Sequence, residues 1–356
     1  ANALKSYYFT LEWAIRSVNN IRAQADELWA LYQAVPPADW ATHEAAIEKE
    51  LSYLQERYEY AKNTLSEEAL NTGASLREAL YFTPEDLHKE NGTATYVDYG
   101  DTRSLTQKEL ADMLARLGDP SSSLFNIDQG RIGDCHLLAS LNAYNQTEAG
   151  RRYLASLITP HYGADGKVDG FYVDFPGFDR DRKRVFVQDV LEYGDTAGGS
   201  HNADLGSIFE KAFVQSHMGG TRGKIPTWGA SGSLSALTME DISGKATHPT
   251  VNLGINRESL KNAAIDAVTT GNPVVAESSP FAGQANVTID GNDQTITVSS
   301  QHVYTVVGAD ENGVTLTNPW GYNQTTTKGK KAGATFTMSW ADFYANFGDV
   351  TVGQIP

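Results

Sequence analysis

The 356-residue chain contains one cysteine, Cys135, and four methionines. A single cysteine excludes an internal disulfide framework and a structural zinc site built on thiolates. No run of about 18 or more apolar residues occurs, so no membrane span is expected. No basic segment followed by an apolar run marks a signal peptide. The sequence opens at Ala1 without a methionine, which reads as a processed or trimmed start. Positive charge is also scarce: 28 Lys and Arg stand against 44 Asp and Glu, a formal net charge of -16. That balance disfavours a nucleic-acid surface, which needs clustered cations. Charged residues make up only 20%, and the lean toward uncharged polar residues points to an exported rather than a cytoplasmic protein. What is present is apolar material, 40% of residues, enough for one large domain or two medium ones.

The first third reads as helical. Leu4, Leu11, Val18, Ala25 and Tyr32 recur at seven-residue spacing, with Tyr8, Ile15 and Trp29 between them. That is the period of helices packed side by side. Pro36-Pro37 ends the run, Asp39 is the expected N-cap of the next helix, and Ile47, Leu51, Leu54, Tyr58, Ala61 and Leu65 repeat the period. Residues 3–66 therefore read as an antiparallel helical hairpin within an N-terminal domain of residues 1–95. The hairpin could dock a partner or block a cleft as a pro-segment, and the pattern alone does not separate these. The stretch 71–100 is broken by Gly73, Pro84, Asn91-Gly92 and Gly100 and is taken as the domain boundary. Thr106 and Glu109 have capping-box spacing. Beyond Cys135, Leu137, Leu138, Leu141 and Tyr144 fit a buried helix. Strand patterns at 170–175 and 184–190 precede a helix at 208–213. From about residue 250 alternating strands dominate, with segments at 274–276, 285–289, 295–298, 303–307, 314–317 and 334–338. A helix-rich part followed by a sheet-rich part is an α+β chain.

Cys135 lies in Gln129-Gly130-Arg131-Ile132-Gly133-Asp134-Cys135-His136, where a flexible turn meets the start of a helix. The free N–H groups and partial positive charge of a helix N-terminus stabilise a thiolate, so this position suits a nucleophile. A thiolate needs a base, and the base needs an orienting group. Among eight histidines, His302 stands directly before an alternating apolar strand. Asn318 lies at the end of the next strand, past the turn Asn312-Gly313. Adjacent antiparallel strands would set the two side by side, with Trp320 shielding the bond between them.

The segment QGRIGDCHLLAS resembles the Gln-Gly-x-x-Gly-Asp-Cys-Trp-Leu-Leu-Ala signature of the calpain family of cysteine proteases. His302-Val303-Tyr304 resembles its His-Ala-Tyr, and Asn318-Pro319-Trp320-Gly321 matches its Asn-Pro-Trp-Gly. Residues 208–213, 232–244 and 339–347 resemble three further family segments in the family's order, so the likeness covers about residues 100–356. It implies a papain-like fold of two lobes, a helical lobe with the cysteine (96–248) and an antiparallel-sheet lobe with the histidine and asparagine (249–356). It also implies a short, bacterial-type member that hydrolyses peptide bonds in proteins. Cys135 would be the nucleophile, His302 the general base and acid, Asn318 its orienter, and Gln129 an oxyanion donor with the Cys135 N–H. Trp320, Gly133, Asp134 and His136 would support the site. His136 stands where the family has Trp, and Gln301 where it has Gly before the histidine. The chemistry requires no cofactor. Animal members bind calcium in each lobe, and two ligand positions of the first site fall here on Asn126 and Ala203, neither a carboxylate. Two other readings stay open: a protease fold kept for binding, and a Cys–His acyl transferase.

Overall fold

A computed structural model describes residues 2–36, 40–79, 101–178, 183–218, 235–252, 254, 256–279, 281–327 and 330–356. Among these the chain is α+β, and it opens with two long antiparallel helices, α1 (Asn2–Ala34) and α2 (Trp40–Ala79). Asp39, the expected N-cap, lies outside the described residues, as does most of the expected boundary segment. Helix α2 runs through Gly73, so the hairpin is longer than the 3–66 span read from sequence. One helical glycine costs about 1 kcal/mol, which a long packed helix tolerates.

The buried stripe of α1 is not the one the seven-residue repeat suggests. Ile21 and Leu28 pack against Ile47 and Leu54 of α2 and against Val251 of the body, while Val18, Tyr8, Ile15 and Trp29 are exposed. The repeat is present on two neighbouring arcs of α1, and docking against the rest of the protein selects one of them.

The helix-rich part follows. Strand β1 (Thr102–Ser104) leads into α3 (Gln107–Gly118), whose N-terminus carries the capping box of Thr106 and Glu109. Helix α4 (Cys135–Asn145) is buried along nearly its whole length, its polar His136, Ser140 and Asn145 included, as befits a central helix. It packs on α5 (Glu148–Ser156). Strands β2 (Ile158–Tyr162), β3 (Val168–Asp174) and β4 (Arg184–Val187) form one antiparallel sheet, and β5 (Asp189–Leu191) pairs with β1. The apolar run expected as one strand at 184–190 is thus split between two sheets. Helices α6 (Leu205–Met218) and α7 (Ser235–Ser243) complete this part, around a core that includes Leu137, Leu138, Phe171, Phe175, Phe209 and Phe213.

The second part is an eight-stranded antiparallel sheet. Its strands are β6 (Pro249–Val251), β7 (Val274–Ser278), β8 (Gln284–Ile289), β9 (Asn292–Thr297), β10 (Val303–Ala309), β11 (Gly313–Thr325), β12 (Lys331–Ser339) and β13 (Phe347–Val352), with helices α8 (Arg257–Thr270) and α9 (Trp340–Asn346). The order is β12-β8-β9-β11-β10-β7-β13-β6, and a further β11–β12 pairing closes β11, β12, β8 and β9 into a ring. Every strand expected after residue 250 is found. The sequence reading did not foresee β6, β13 or α8. No helix among the described residues is long and apolar enough to cross a membrane.

Helix α4 joins the two parts. Ala139 and Ala143 pack with Met239, Val275 and Val303, and Cys135 lies against this cluster. The Thr305 hydroxyl donates to the Ala139 carbonyl at 2.8 Å and accepts from Asn142 at 3.3 Å.

Candidate active site

Cys135 is the first residue of α4. Its N-cap, Asp134, makes no side-chain cap because its carboxyl is turned inward, where it accepts from Gln129 Nε2 at 3.4 Å and bonds to Glu210. Burial pushes Asp134 up to about 7, and burial together with the nearby Asp134 and Asp195 pushes Glu210 well above its ordinary value. Two carboxyls in contact in a dry site are held together by a shared proton. Glu210 in turn accepts the Asp195 N–H, and Asp195 accepts the Asp128 N–H at 2.8 Å. This chain of acids fixes the loop that leads to Cys135. The loop is tight: a Cβ at Gly130 would collide with the carbonyl oxygens of Gly194 and Tyr193.

His302 immediately precedes β10, and its ring is buried. His302 Nε2 lies 2.9 Å from Asn318 Oδ1, and Trp320 packs its ring over the imidazole at 4.3 Å between centroids. The Trp320 N–H also donates to Asn318 Oδ1, at 3.0 Å. Asn318 sits inside β11, at the register break between Thr317 and Tyr322, so the side chain comes from an irregularity rather than from the strand end expected.

A residue absent from the sequence reading orients this amide. Asn318 Nδ2 donates to Asn323 Oδ1 at 3.2 Å, and Asn323 Nδ2 donates to the carbonyls of Gly333 and Ala334. Carbonyls only accept, so Asn323 must present its NH2 to them and its oxygen to Asn318. Asn318 then presents its oxygen to His302, and Nε2 must carry the proton. Nδ1 is left as the basic nitrogen. An Asn five residues beyond a candidate Asn carries no sequence signal, because the bend in β11 creates the contact.

Cys135 is half-buried. Burial pushes its thiol up to about 12, and Glu277 and Asp134 push the same way. The backbone N–H groups of Val303 and His136 face the sulfur and pull in the opposite direction. Val303 follows His302 directly, so the thiol lies one residue from the base. Among the described residues no hydrogen bond joins Cys135 to His302. Burial lowers His302 to about 4, with the Asn318 bond pulling it partly back. The pair is therefore held as neutral thiol and neutral imidazole.

Gln129 is tied across the junction, its N–H donating to the Pro319 carbonyl at 2.8 Å. Its side-chain NH2 bonds the Ile132 carbonyl at 2.6 Å as well as Asp134, so in this state the amide is turned away from the sulfur. His136 does not border the thiol cavity. Its ring is fully buried, Nδ1 bonds Thr238 Oγ1 at 2.7 Å, and it packs against Phe213. Gly133 lies in the turn between Gln129 and α4. Gln301 adopts a φ of 50°, a left-handed conformation that glycine takes without cost.

Asn126 and Ala203, which stand at two of the family's calcium-ligand positions, have other partners. Asn126 N–H and Gly206 N–H occupy the Asp204 carboxylate at 2.9 and 2.8 Å, and Ala203 is a buried methyl whose N–H donates to Glu109. Among the described residues no three His, Cys, Asp or Glu side chains converge as metal ligands.

The hairpin lies over this centre. Trp13, Ser17 and Ile21 of α1 and Tyr53, Glu56, Arg57, Tyr60 and Ala61 of α2 line a cavity of about 260 Å³ together with Cys135, Glu277, Gln301 and Val303. Arg16 anchors it to the helical part through Asp241 at 2.9 Å, and Tyr53 anchors it to the sheet through Glu277 at 2.7 Å.

No protein-family model matches the chain, and no curated protein matches it.

Proposed function

We propose that the chain is a papain-like cysteine endopeptidase with a calpain-like catalytic core, in a latent state. The observation that carries this reading is the Asn323–Asn318–His302 relay, which leaves His302 Nδ1 as a base on the platform next to Cys135. The Cys135 sulfur attacks the peptide carbonyl while its proton passes to His302 Nδ1. The imidazolium keeps its Nε2–H on Asn318 under the cover of Trp320. The oxyanion takes the Cys135 N–H at the start of α4, and the Gln129 NH2 once it leaves the Ile132 carbonyl. His302 then protonates the departing amine. A water, deprotonated by His302, hydrolyses the thioester and restores the thiol. Each step uses side chains of this chain.

The hairpin accounts for the latency. It bridges both lobes above the thiol, and the dry environment keeps the proton on sulfur. An epoxysuccinyl probe tests the reading. Labelling of Cys135 that is lost in His302→Ala, and accelerated in the full chain by Arg16→Ala with Tyr53→Phe, is the expected result. No labelling in either chain would leave a protease fold without protease chemistry.

A further inference from the structure

The sheet face beneath the hairpin carries a row of residues that begins at the nucleophile. Val303 on β10 pairs with Glu277 on β7, Glu277 with Asp349 on β13, and Asp349 with Val251 on β6. Residues opposite one another on antiparallel strands share a face. The Val303 N–H faces the Cys135 sulfur, and Cys135 and Glu277 line the same cavity. Glu277 thus lines the cavity that Cys135 lines, and Asp349 lies buried opposite it on the next strand.

Both are covered by the hairpin. Asp349 is only 3% exposed. The Tyr53 hydroxyl donates to Glu277, and the Arg57 guanidinium stacks over the Tyr53 ring at 5.2 Å. Burial, Glu277 and the hairpin's own Glu50 push Asp349 well above its ordinary value, with Arg57 pulling the other way, while Arg57 lines the same cavity as Glu277. Its own Nη atoms bond Gln24 and Asn20, while its Nε is buried without an acceptor. The hairpin therefore brings a donor to Glu277 through Tyr53 and lines the same cavity with the Arg57 guanidinium. A carboxylate in a partly closed cavity gains from a cationic partner, and a guanidinium meets a carboxylate through two parallel N–H bonds.

We infer that Glu277 is the acid of a substrate subsite that selects a basic side chain, arginine or lysine, near the scissile bond, and that the Tyr53 hydroxyl occupies it in the closed chain. This rests on the cysteine-peptidase reading and adds the substrate class. Apolar side chains offer Glu277 no charge or donor, and acidic ones meet repulsion.

The test uses the full chain carrying Arg16→Ala and Tyr53→Phe. Tripeptidyl epoxysuccinyl probes present arginine, norleucine or glutamate at each of their residues in turn, and the rate of Cys135 labelling is read. At one position arginine is expected to react at least about tenfold faster than norleucine, as for a hydrogen bond to a charged group, with glutamate slowest. Glu277→Gln should bring the arginine rate down to the norleucine rate, and Glu277→Lys should favour glutamate. Should Glu277→Gln not fold, Glu277→Asp, which keeps the charge but shortens its reach, should show a reduced arginine preference. Labelling with no arginine preference at any position, or a preference that survives loss of the Glu277 charge, overturns this inference alone. Absence of labelling by every probe overturns the peptidase reading and this one with it.

Discussion

Asn318 gives its amide N–H to Asn323 at 3.2 Å, and through that bond a residue the sequence did not single out helps set the proton position on His302. The relay works by geometry alone: two backbone carbonyls fix Asn323, Asn323 and the Trp320 N–H fix Asn318, and Asn318 fixes the imidazole tautomer.

Replacing Asn323 by alanine removes the acceptor of the Asn318 NH2 and leaves the Trp320 N–H alone to hold its oxygen toward His302, which loosens the amide. Nitrogen-15 spectra of the imidazole should change from a single Nε2–H tautomer to a mixture. The value of kcat/KM should fall about tenfold, the scale of an outer-shell partner that orients a functional ligand, with most of the loss in kcat. An unchanged tautomer would remove the role given to Asn323.

His302 makes stability depend on pH. Its folded value is lowered to about 4 from an ordinary 6.5 by burial. Between these values the unfolded chain binds the proton and the folded chain does not. Stability therefore rises with pH across that window and is lost as pH falls from 6.5 toward 4. The contribution is on the order of 3 kcal/mol. Denaturant titrations from pH 4 to 7 should show a shallower slope in His302→Phe than in the parent. An imidazole that titrates near its ordinary value by NMR would contradict this.

The thiol is held at about 12 beneath the hairpin, so alkylation by iodoacetamide near pH 8 should be slow. Arg16→Ala with Tyr53→Phe lifts both anchors, admits water to the sulfur, and should raise the alkylation rate at least about tenfold, since each unit of thiol pKa changes the thiolate fraction tenfold. Equal rates in the two chains would mean that the hairpin does not control access to Cys135.

Gly130→Ala tests the loop before the nucleophile. The new methyl meets two backbone carbonyls rather than a movable side chain, so the loop must shift. A loss of about 1–3 kcal/mol is expected, the usual cost of overpacking, visible as a lower melting temperature. A melting temperature equal to the parent's would mean the loop has room to spare.

Much of the architecture was legible because it is written in short stretches. The strands after residue 250 follow from period-two patterning, and α4 follows from an unbroken apolar face. The capping box of Thr106 and Glu109 is a three-residue rule. Cys135 at a helix start and His302 beside Asn318 follow from local spacing and one hairpin turn. The face that α1 buries was misread, since two apolar arcs compete and only docking chooses between them. Asn323 escaped notice because its partner comes to it through a break in strand register. His136, next to the nucleophile in sequence, turns instead to Thr238 on a distant helix.

The sequence by itself determined which groups are available: one thiol, an imidazole ahead of a strand, an amide beyond the next turn, and a pair of long amphipathic helices. Tertiary structure decided what those groups are made to do. Burial set the proton on sulfur and kept it off the imidazole. Strand pairing set Glu277 opposite Val303 and Asp349 opposite Glu277, and docking of the hairpin against both parts of the chain covered Cys135 and Glu277. Burial and cross-strand register are properties of the assembled chain, so no local stretch of residues encodes them.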